Sequence, residues 1–180
     1  MRARKGKAPA RSGCCPSPGA RHARRGHGEG KRKEVGEMPE VDREFVKKYH
    51  RAVVKSLAGD LEKVKSRIGS QWAEDFKRKA ATRLEGEDFR RALEEYLRDD
   101  LRFSEQVKVE GNGDDLRVEV RGCHICHGNE ELRREGAPTL CPIIPTGLFS
   151  ISRVSGKKAT LREVRKNGVV GECEIHYGLG

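Results

Sequence analysis

Four cysteines in the second half of the chain are the residues best suited to chemistry: Cys123, Cys126, Cys141 and Cys173. The first two form a C-x2-C pair, and at this spacing two thiolates can point from one tight turn toward the same metal ion. Cys141 stands directly before a proline, and Cys173 lies between two glutamates. The set therefore indicates a metal site or a thiol site in the C-terminal half.

Two kinds of metal centre are compatible with these cysteines. Zinc prefers tetrahedral sulfur and nitrogen donors, so a site made from all four, or from three with a His or Glu, would hold a small sheet together. An iron–sulfur cluster also needs four cysteines, but the long gaps after Cys126 match neither ferredoxin spacing. Zinc is the expected cofactor, and an iron–sulfur cluster is the alternative.

Two further interpretations need no metal. In the first, one cysteine is a catalytic nucleophile and His124 or His127 is its general base. In the second, Cys141 and Cys173 are small buried apolar residues, and the C-x2-C pair is a redox-sensitive turn. The sequence alone leaves all of these interpretations open.

Strand alternation and helix context constrain two histidines. In the last predicted strand, Cys173 shares a face with Ile175 and Tyr177, whereas His176 lies on the other face. We therefore expect His176 to be a surface or partly buried structural residue rather than a ligand of the same metal. His50 lies on a highly charged helix and is expected to be exposed.

The net charge suggests a nucleic-acid partner, but its distribution weakens that inference. The chain has 38 Lys and Arg against 28 Asp and Glu, or +10. Residues 1–37 hold 11 of the basic residues and three of the acidic ones, which leaves 27 basic and 25 acidic residues elsewhere. Nucleic-acid binding is therefore expected only through this tail.

Residues 1–37 are expected to be a disordered basic tail, because they contain no aromatic and almost no branched aliphatic residues. Cys14 and Cys15 lie in it and are excluded from the site. The tail is interpreted as a nucleic-acid arm or as an inert solubilising segment. A third hypothesis is a misassigned start, with the true start at Met38, because residues 33–35 can be encoded by a strong prokaryotic ribosome-binding sequence.

Residues 38–180 are expected to form one α+β ligand-binding-type domain, with N-terminal helices followed by a small antiparallel sheet with inserted helices. Three amphipathic helices are predicted from apolar residues at three- to four-residue spacing. The first apolar stripe consists of Val41, Phe45, Tyr49, Ala52, Val53 and Leu57. Beyond Phe103 the period becomes two, and residues 107–120 predict a hairpin with its turn at 111–114.

The remaining elements follow from shorter patterns. Helices are expected at residues 129–135 and around 146–154. Leu161 and Val164 suggest a third strand, and residues 170–177 a closing strand. In this arrangement the C-x2-C pair stands at the end of a strand.

No membrane or secretory segment is visible in the sequence. No apolar run approaches the roughly 18 residues of a membrane span, and no positively charged start leads into an apolar stretch. We therefore expect a cytoplasmic protein whose thiols stay reduced. A disulfide between Cys123 and Cys126 would then be a regulated state.

Several spaced motifs in the second half occur in the order of a known family. They are Val-Arg-Gly-Cys-His-Ile-Cys at 120–126, Cys141, a helix beginning near Gly147, Leu-Arg-Glu-Val at 161–164, and Gly-Glu-Cys-Glu-Ile at 171–175. In these features, and in the helices before the sheet, the chain resembles the 4-vinyl reductase (hydrocarbon-binding) domain family. The resemblance implies a pocket domain that binds a small apolar molecule.

The same resemblance implies a ligand set for zinc. In related sensor proteins a zinc ion near the pocket is held by Cys and Glu residues of the final strands. On that pattern Glu163 and Cys173 would be ligands, with Cys123 or Cys126 as a third. Lys166 stands where the family often has a further cysteine.

A second resemblance points to an enzyme. Glu-Leu-Arg-Arg-Glu-Gly-Ala-Pro-Thr-Leu-Cys-Pro at 131–142 is similar to the L-2-amino-thiazoline-4-carboxylate hydrolase family. This similarity implies a hydrolase with Cys141 and Cys173 near the active site. The two families share much of this layout, so the fold prediction is the same for either.

The sequence favours a binding module over an enzyme, because no set of nucleophile, base and orienting residue can be placed. The expected function is the binding of a small hydrophobic ligand next to a cysteine-rich metal site. A module without an output domain would act by forming a homodimer, by binding a partner, or by carrying its ligand to an enzyme.

Overall fold

The computed structural model describes residues 42–57 and 59–180, and in them helices precede an antiparallel sheet, which confirms the α+β prediction. The N-terminal helices and the hairpin are α1 (Arg43–Ser56), α2 (Leu61–Ala80), α3 (Gly86–Glu95), β1 (Gln106–Asn112) and β2 (Asp115–Arg121). The C-terminal elements are α4 (His124–Arg134), α5 (Ile143–Ser150), β3 (Ala159–Arg165) and β4 (Cys173–Leu179). Tyr96–Asp100 and Ile151–Ser155 extend α3 and α5 as π-helical turns. The predicted tail, with Cys14 and Cys15, lies outside the described residues.

The sheet has the strand order β1-β2-β4-β3, and all neighbours are antiparallel. The predicted hairpin is confirmed, with Asn112 paired to Asp115 across its turn. Strand β4 lies in the centre beside β2, where Val120 pairs with Cys173 and Val118 with Ile175. Helices cover one face of the sheet, and charged side chains occupy the other.

Tyr177 of β4 anchors the N-terminus of α5 to the sheet. Its ring is fully buried, and its hydroxyl donates to the carbonyls of Ile143 and Ile144 at 3.4 and 3.2 Å. Gly147 makes room for that hydroxyl, because a Cβ atom there would lie 2.3 Å from it. This contact fixes where α5 begins relative to the sheet, and therefore where Cys141 lies.

Helix α1 is rotated from the predicted orientation. Phe45 and Tyr49 belong to the predicted apolar stripe, but they are 61% and 62% exposed and stack on each other with ring centroids 5.8 Å apart. The buried residues of α1 are His50 and Val54. The expectation that His50 is exposed is therefore wrong, and the reason is a buried hydrogen-bond partner, Asn129 of α4, at 2.9 Å.

Helix α4 begins five residues before the predicted 129–135 segment. It starts at His124, so Cys123 is its N-cap residue and Cys126 lies in its first turn. The apolar period is weak here because glycine and polar residues fill the first turns.

Among the described residues, no helix is both long and apolar enough to cross a membrane.

Candidate functional site

The backbone brings Cys123 and Cys173 together at one end of the sheet. The amide of Cys123 donates to the carbonyl of Gly171 at 3.0 Å, just before Cys173 enters β4. Gly122 and Gly171 have φ angles of 66° and 97°, which L side chains rarely adopt. A Cβ atom at Gly171 would also lie 3.3 Å from the Cys123 amide nitrogen. Two glycines therefore permit the close approach of these segments.

Cys126 lies between the two other thiols. Hydrogen bonds from the thiols of Cys123 and Cys173 lower the pKa of Cys126 to about 3, against an opposing effect of burial. The positive charges of Lys166 and Arg133 lower it further. The lowered pKa favours the thiolate form of Cys126, and a thiolate is the form that binds metals and attacks electrophiles.

The neighbours of Cys126 keep their protons. The pKa of Cys123 is raised by its hydrogen bond to Cys126 and by burial, while a backbone hydrogen bond from the Cys126 amide opposes the rise. The pKa of Cys173 is raised by its own hydrogen bond to Cys126 and by burial. The raised pKa values favour the protonated forms of Cys123 and Cys173, which donate to Cys126, and none of the described cysteines forms a disulfide.

Cys141 approaches the same centre from the segment before α5. Burial raises the pKa of its thiol, and the nearby Cys126 thiolate adds to the rise. Backbone amides of Ile144 and Ile143, at the start of α5, donate to its sulfur and act in the opposite direction. The charge of Cys141 also affects Tyr177, which places the two side chains close together. Four cysteines from three segments, the start of α4, the stretch before α5 and β4, therefore converge here.

The four cysteines lie near one another, but their side chains are not arranged as a metal site in the described residues. Across residues 42–57 and 59–180, no group of three or more His, Cys, Asp or Glu side chains is arranged to hold a metal ion. The chemistry of the donor set nevertheless fits zinc, because its four sulfur ligands are soft and two of them accept backbone hydrogen bonds that stabilise a thiolate.

Glu163, the remaining residue of the implied ligand set, is not brought to the cysteines. It is exposed on β3, forms an ion pair with Arg165 and lies opposite His176 in the ladder. That position is on the outer face of the sheet, whereas Cys173 faces the core. His176 is partly buried and its Nε2 lies 3.2 Å from a carboxylate oxygen of Glu174, on the face opposite Cys173 as the strand alternation predicts.

His50 of α1 lies close enough to the site to be affected by the charge of Cys126, although the sequence does not indicate it as a site residue. Burial lowers the pKa of His50, while its hydrogen bond to Asn129 and the Cys126 charge oppose that change. His124 and His127 are half-buried on α4, and His127 lines a charged surface cavity with Arg43. No sequence signal linked His50 to Asn129, because they are 79 residues apart and neither lies in a recognisable motif.

An apolar groove lies in front of the cysteine site. Its volume is about 400 Å³, and Cys141 forms part of its wall. The apolar lining residues come from α5 and β3: Ile144, Pro145, Leu148, Phe149 and Leu161. Glu62 and Lys65 of α2 lie at its rim and pair with each other. This volume falls within the range of small-molecule sites.

A second cavity has a different character. Its volume is about 470 Å³, and charged side chains such as Glu94, Arg98 and Arg121 line most of it. None of its lining residues is a cysteine, and its lining is more polar than that of the groove, so the groove at α5 is the better candidate for a hydrophobic ligand. In comparisons with known proteins, no family model matches the chain, and no curated protein matches it significantly.

Proposed function

We propose that this chain is a small-molecule-binding module that holds an apolar ligand in the groove beside α5 and a zinc ion in the cysteine site. The observation that carries the proposal is the convergence of four thiols directly behind the wall of an apolar groove. Cys141 belongs to both features, so a ligand in the groove would lie next to the metal centre.

The zinc ligands would be Cys123, Cys126, Cys141 and Cys173. Zinc supplies a fixed positive centre to which three chain segments attach, and it would stabilise the fold by the free energy of binding. Lys166 and Arg133, whose charges already act on Cys126, would offset the negative charge of four thiolates. The side chains would close around the ion on binding, since they are not preassembled.

Elemental analysis of protein purified without a metal-affinity tag tests the metal. We expect about one zinc ion per chain, lost in Cys123→Ser and in Cys173→Ser. The double variant Cys14→Ser/Cys15→Ser is the matched control and should keep its zinc. A brown protein that contains iron would show that the site holds an iron–sulfur cluster instead of zinc. A protein without metal would refute the metal centre.

Binding of the neutral apolar dye Nile red tests the groove. Leu161→Glu places a charge on an exposed wall residue and should weaken dye binding by about tenfold or more. Val169→Glu changes a residue of similar exposure outside the groove and should bind as the wild type does. Equal affinities in the two variants would place the dye elsewhere and refute the groove as its site.

A thiol hydrolase is the second candidate, favoured by the lowered pKa of Cys126. Its weakness is that the groove is lined by Cys141, whose pKa is raised by burial, rather than by Cys126. A metal-free protein with one hyper-reactive thiol, mapped to Cys126 with iodoacetamide, would favour the enzyme over the zinc module. Reduced thiols are needed in both cases, and we place the protein in the cytoplasm for that reason.

A further inference from the structure

A buried carboxamide clamps the backbone next to Cys141. The Asn129 side chain accepts a hydrogen bond from the Leu140 amide at 3.0 Å and donates one to the Leu140 carbonyl at 2.9 Å. Both Asn129 and Leu140 are almost completely buried. The Leu140 carbonyl belongs to the peptide group that joins Leu140 to Cys141, so the clamp fixes the plane from which the Cys141 side chain departs.

His50 completes the network from α1. Its Nε2 lies 2.9 Å from the carboxamide oxygen of Asn129, and since that oxygen only accepts, the imidazole donates. Gly128 permits this approach, because a Cβ atom there would lie 2.9 Å from the His50 ring. A reversed carboxamide would set its NH2 group against the Leu140 amide and its oxygen against the Leu140 carbonyl, so the two hydrogen bonds to Leu140 select one orientation.

Cys141 has more need of such a clamp than the other three cysteines. Cys173 lies in β4 and Cys126 lies in α4. Cys123 is the N-cap residue of α4, and its amide donates a hydrogen bond to the carbonyl of Gly171. Residues 137–142 belong to neither a helix nor a strand. The side-chain hydrogen bonds of Asn129 therefore add to the burial of Leu140 in fixing this segment before α5.

We propose that Asn129 and His50 are positioning residues that hold Cys141 against the other three cysteines and so complete a four-thiolate site. This inference rests on the proposed function of the cysteine site. Without the clamp, residues 137–142 loosen while the other three thiols keep their places. The site then offers three thiolates instead of four.

Cobalt substitution in the full chain tests the clamp. The sulfur-to-cobalt charge-transfer absorption grows with the number of bound thiolates, so Asn129→Asp should lower it by about a quarter. This near-isosteric change keeps both acceptor bonds, but it replaces the donor to Leu140 by a carboxylate oxygen that repels the Leu140 carbonyl and adds a buried negative charge. Glu130→Gln on the same helix is the control, because Glu130 pairs with Arg133 and Arg134 at the surface, and it should match the wild type.

A second readout needs no metal. In metal-free protein, the rate at which iodoacetamide labels Cys141 is measured by peptide mass spectrometry, relative to Cys173 in the same sample. Asn129→Asp should raise that ratio about tenfold, the effect of losing one buried hydrogen bond. His50→Gln should raise it in the same direction, and it provides a second test if Asn129→Asp fails to fold, as judged by circular dichroism.

The two readouts separate the inference from the proposed function. Cobalt binding by the wild type with unchanged absorption and labelling in both clamp variants would overturn the clamp and leave the metal site standing. A wild type that binds no cobalt, with faster Cys141 labelling in the variants, would refute the metal site and support the clamp. Loss of charge-transfer intensity together with faster labelling supports both.

Discussion

Strand β4 divides the sheet into two faces that are built in opposite ways. Its inward side chains, Cys173, Ile175 and Tyr177, are buried among helices and the other cysteines. Its outward side chains, Glu174 and His176, remain partly exposed, and Glu174 pairs with Arg117 of β2. The inner face holds groups whose pKa values burial changes, whereas the outer face holds ion pairs in contact with water.

The difference separates residues that determine stability and chemistry from residues that keep the surface charged. A buried contact that is removed or overfilled has no water to replace it. When an exposed ion pair is removed, water solvates the remaining charge, so the free energy of unfolding changes little. Substitutions on the inner face should therefore have larger effects than substitutions on the outer face.

The largest effect is expected at the contact between Gly147 and Tyr177. Gly147→Ala should lower the free energy of unfolding by about 3 kcal/mol, because the new methyl group overfills the core and displaces a buried hydroxyl from its acceptors. Urea denaturation measures the change. Gly59→Ala, where a Cβ atom meets open space, is the control and should stay within about 0.5 kcal/mol of the wild type.

The pH dependence of stability distinguishes the buried histidine from the histidine on the outer face. Burial lowers the pKa of His50, so the unfolded chain takes up a proton there more readily than the folded chain. The stability that His50 contributes is therefore complete above its unfolded pKa, near 6.5, and is lost as the pH falls below that value. The effect should be smaller than that of Gly147→Ala.

Urea denaturation at pH 7.5 and at pH 5.5 checks the sign. The loss of stability on acidification should shrink in His50→Gln and persist in His176→Gln, whose ring lies on the outer face. If acidification lowered the stability of both variants by the same reduced amount, burial of the His50 ring would not be the cause of the effect. Such a result would contradict the distinction between the two faces.

The outer face itself should tolerate the loss of an ion pair. Arg117 pairs with Glu110 and Glu174 across three strands, and hydrogen bonding to Glu110 raises the pKa of Arg117. Arg117→Ala should nevertheless leave the urea midpoint unchanged at moderate salt, because exposed pairs contribute little. A large shift in that midpoint would show that the outer face stabilises the sheet as the inner face does.

Local periodicity was sufficient to predict the element order and the orientation of β4. The change from helical to strand period after Phe103 predicted the α+β fold, and alternation placed Cys173 inward and His176 outward. The phase of α1 was missed because Phe45 and Tyr49 are more hydrophobic than His50. Burial of His50 depends on Asn129, a distant partner that no local pattern reveals.

The position of Glu163 shows a second limit of sequence reasoning. A β-bulge between Leu161 and Glu163 shifts the register, so Leu161 pairs with Tyr177 and Glu163 with His176. Simple alternation would have put Glu163 on the same face as Leu161, in agreement with the ligand set that the family resemblance implies. The bulge instead turns Glu163 to the outer face, and an extra residue of this kind has no clear signature in Leu-Arg-Glu-Val.

The smallest effect is therefore expected for Glu163→Gln. Zinc content should stay at about one ion per chain, because the Glu163 carboxylate faces away from Cys173 and already pairs with Arg165. Cys173→Ser, on the opposite face of the neighbouring strand, should remove the metal. Elemental analysis of the two variants side by side tests whether the sheet separates these residues. Loss of zinc from Glu163→Gln would make Glu163 a ligand and would require β3 to pair without its bulge.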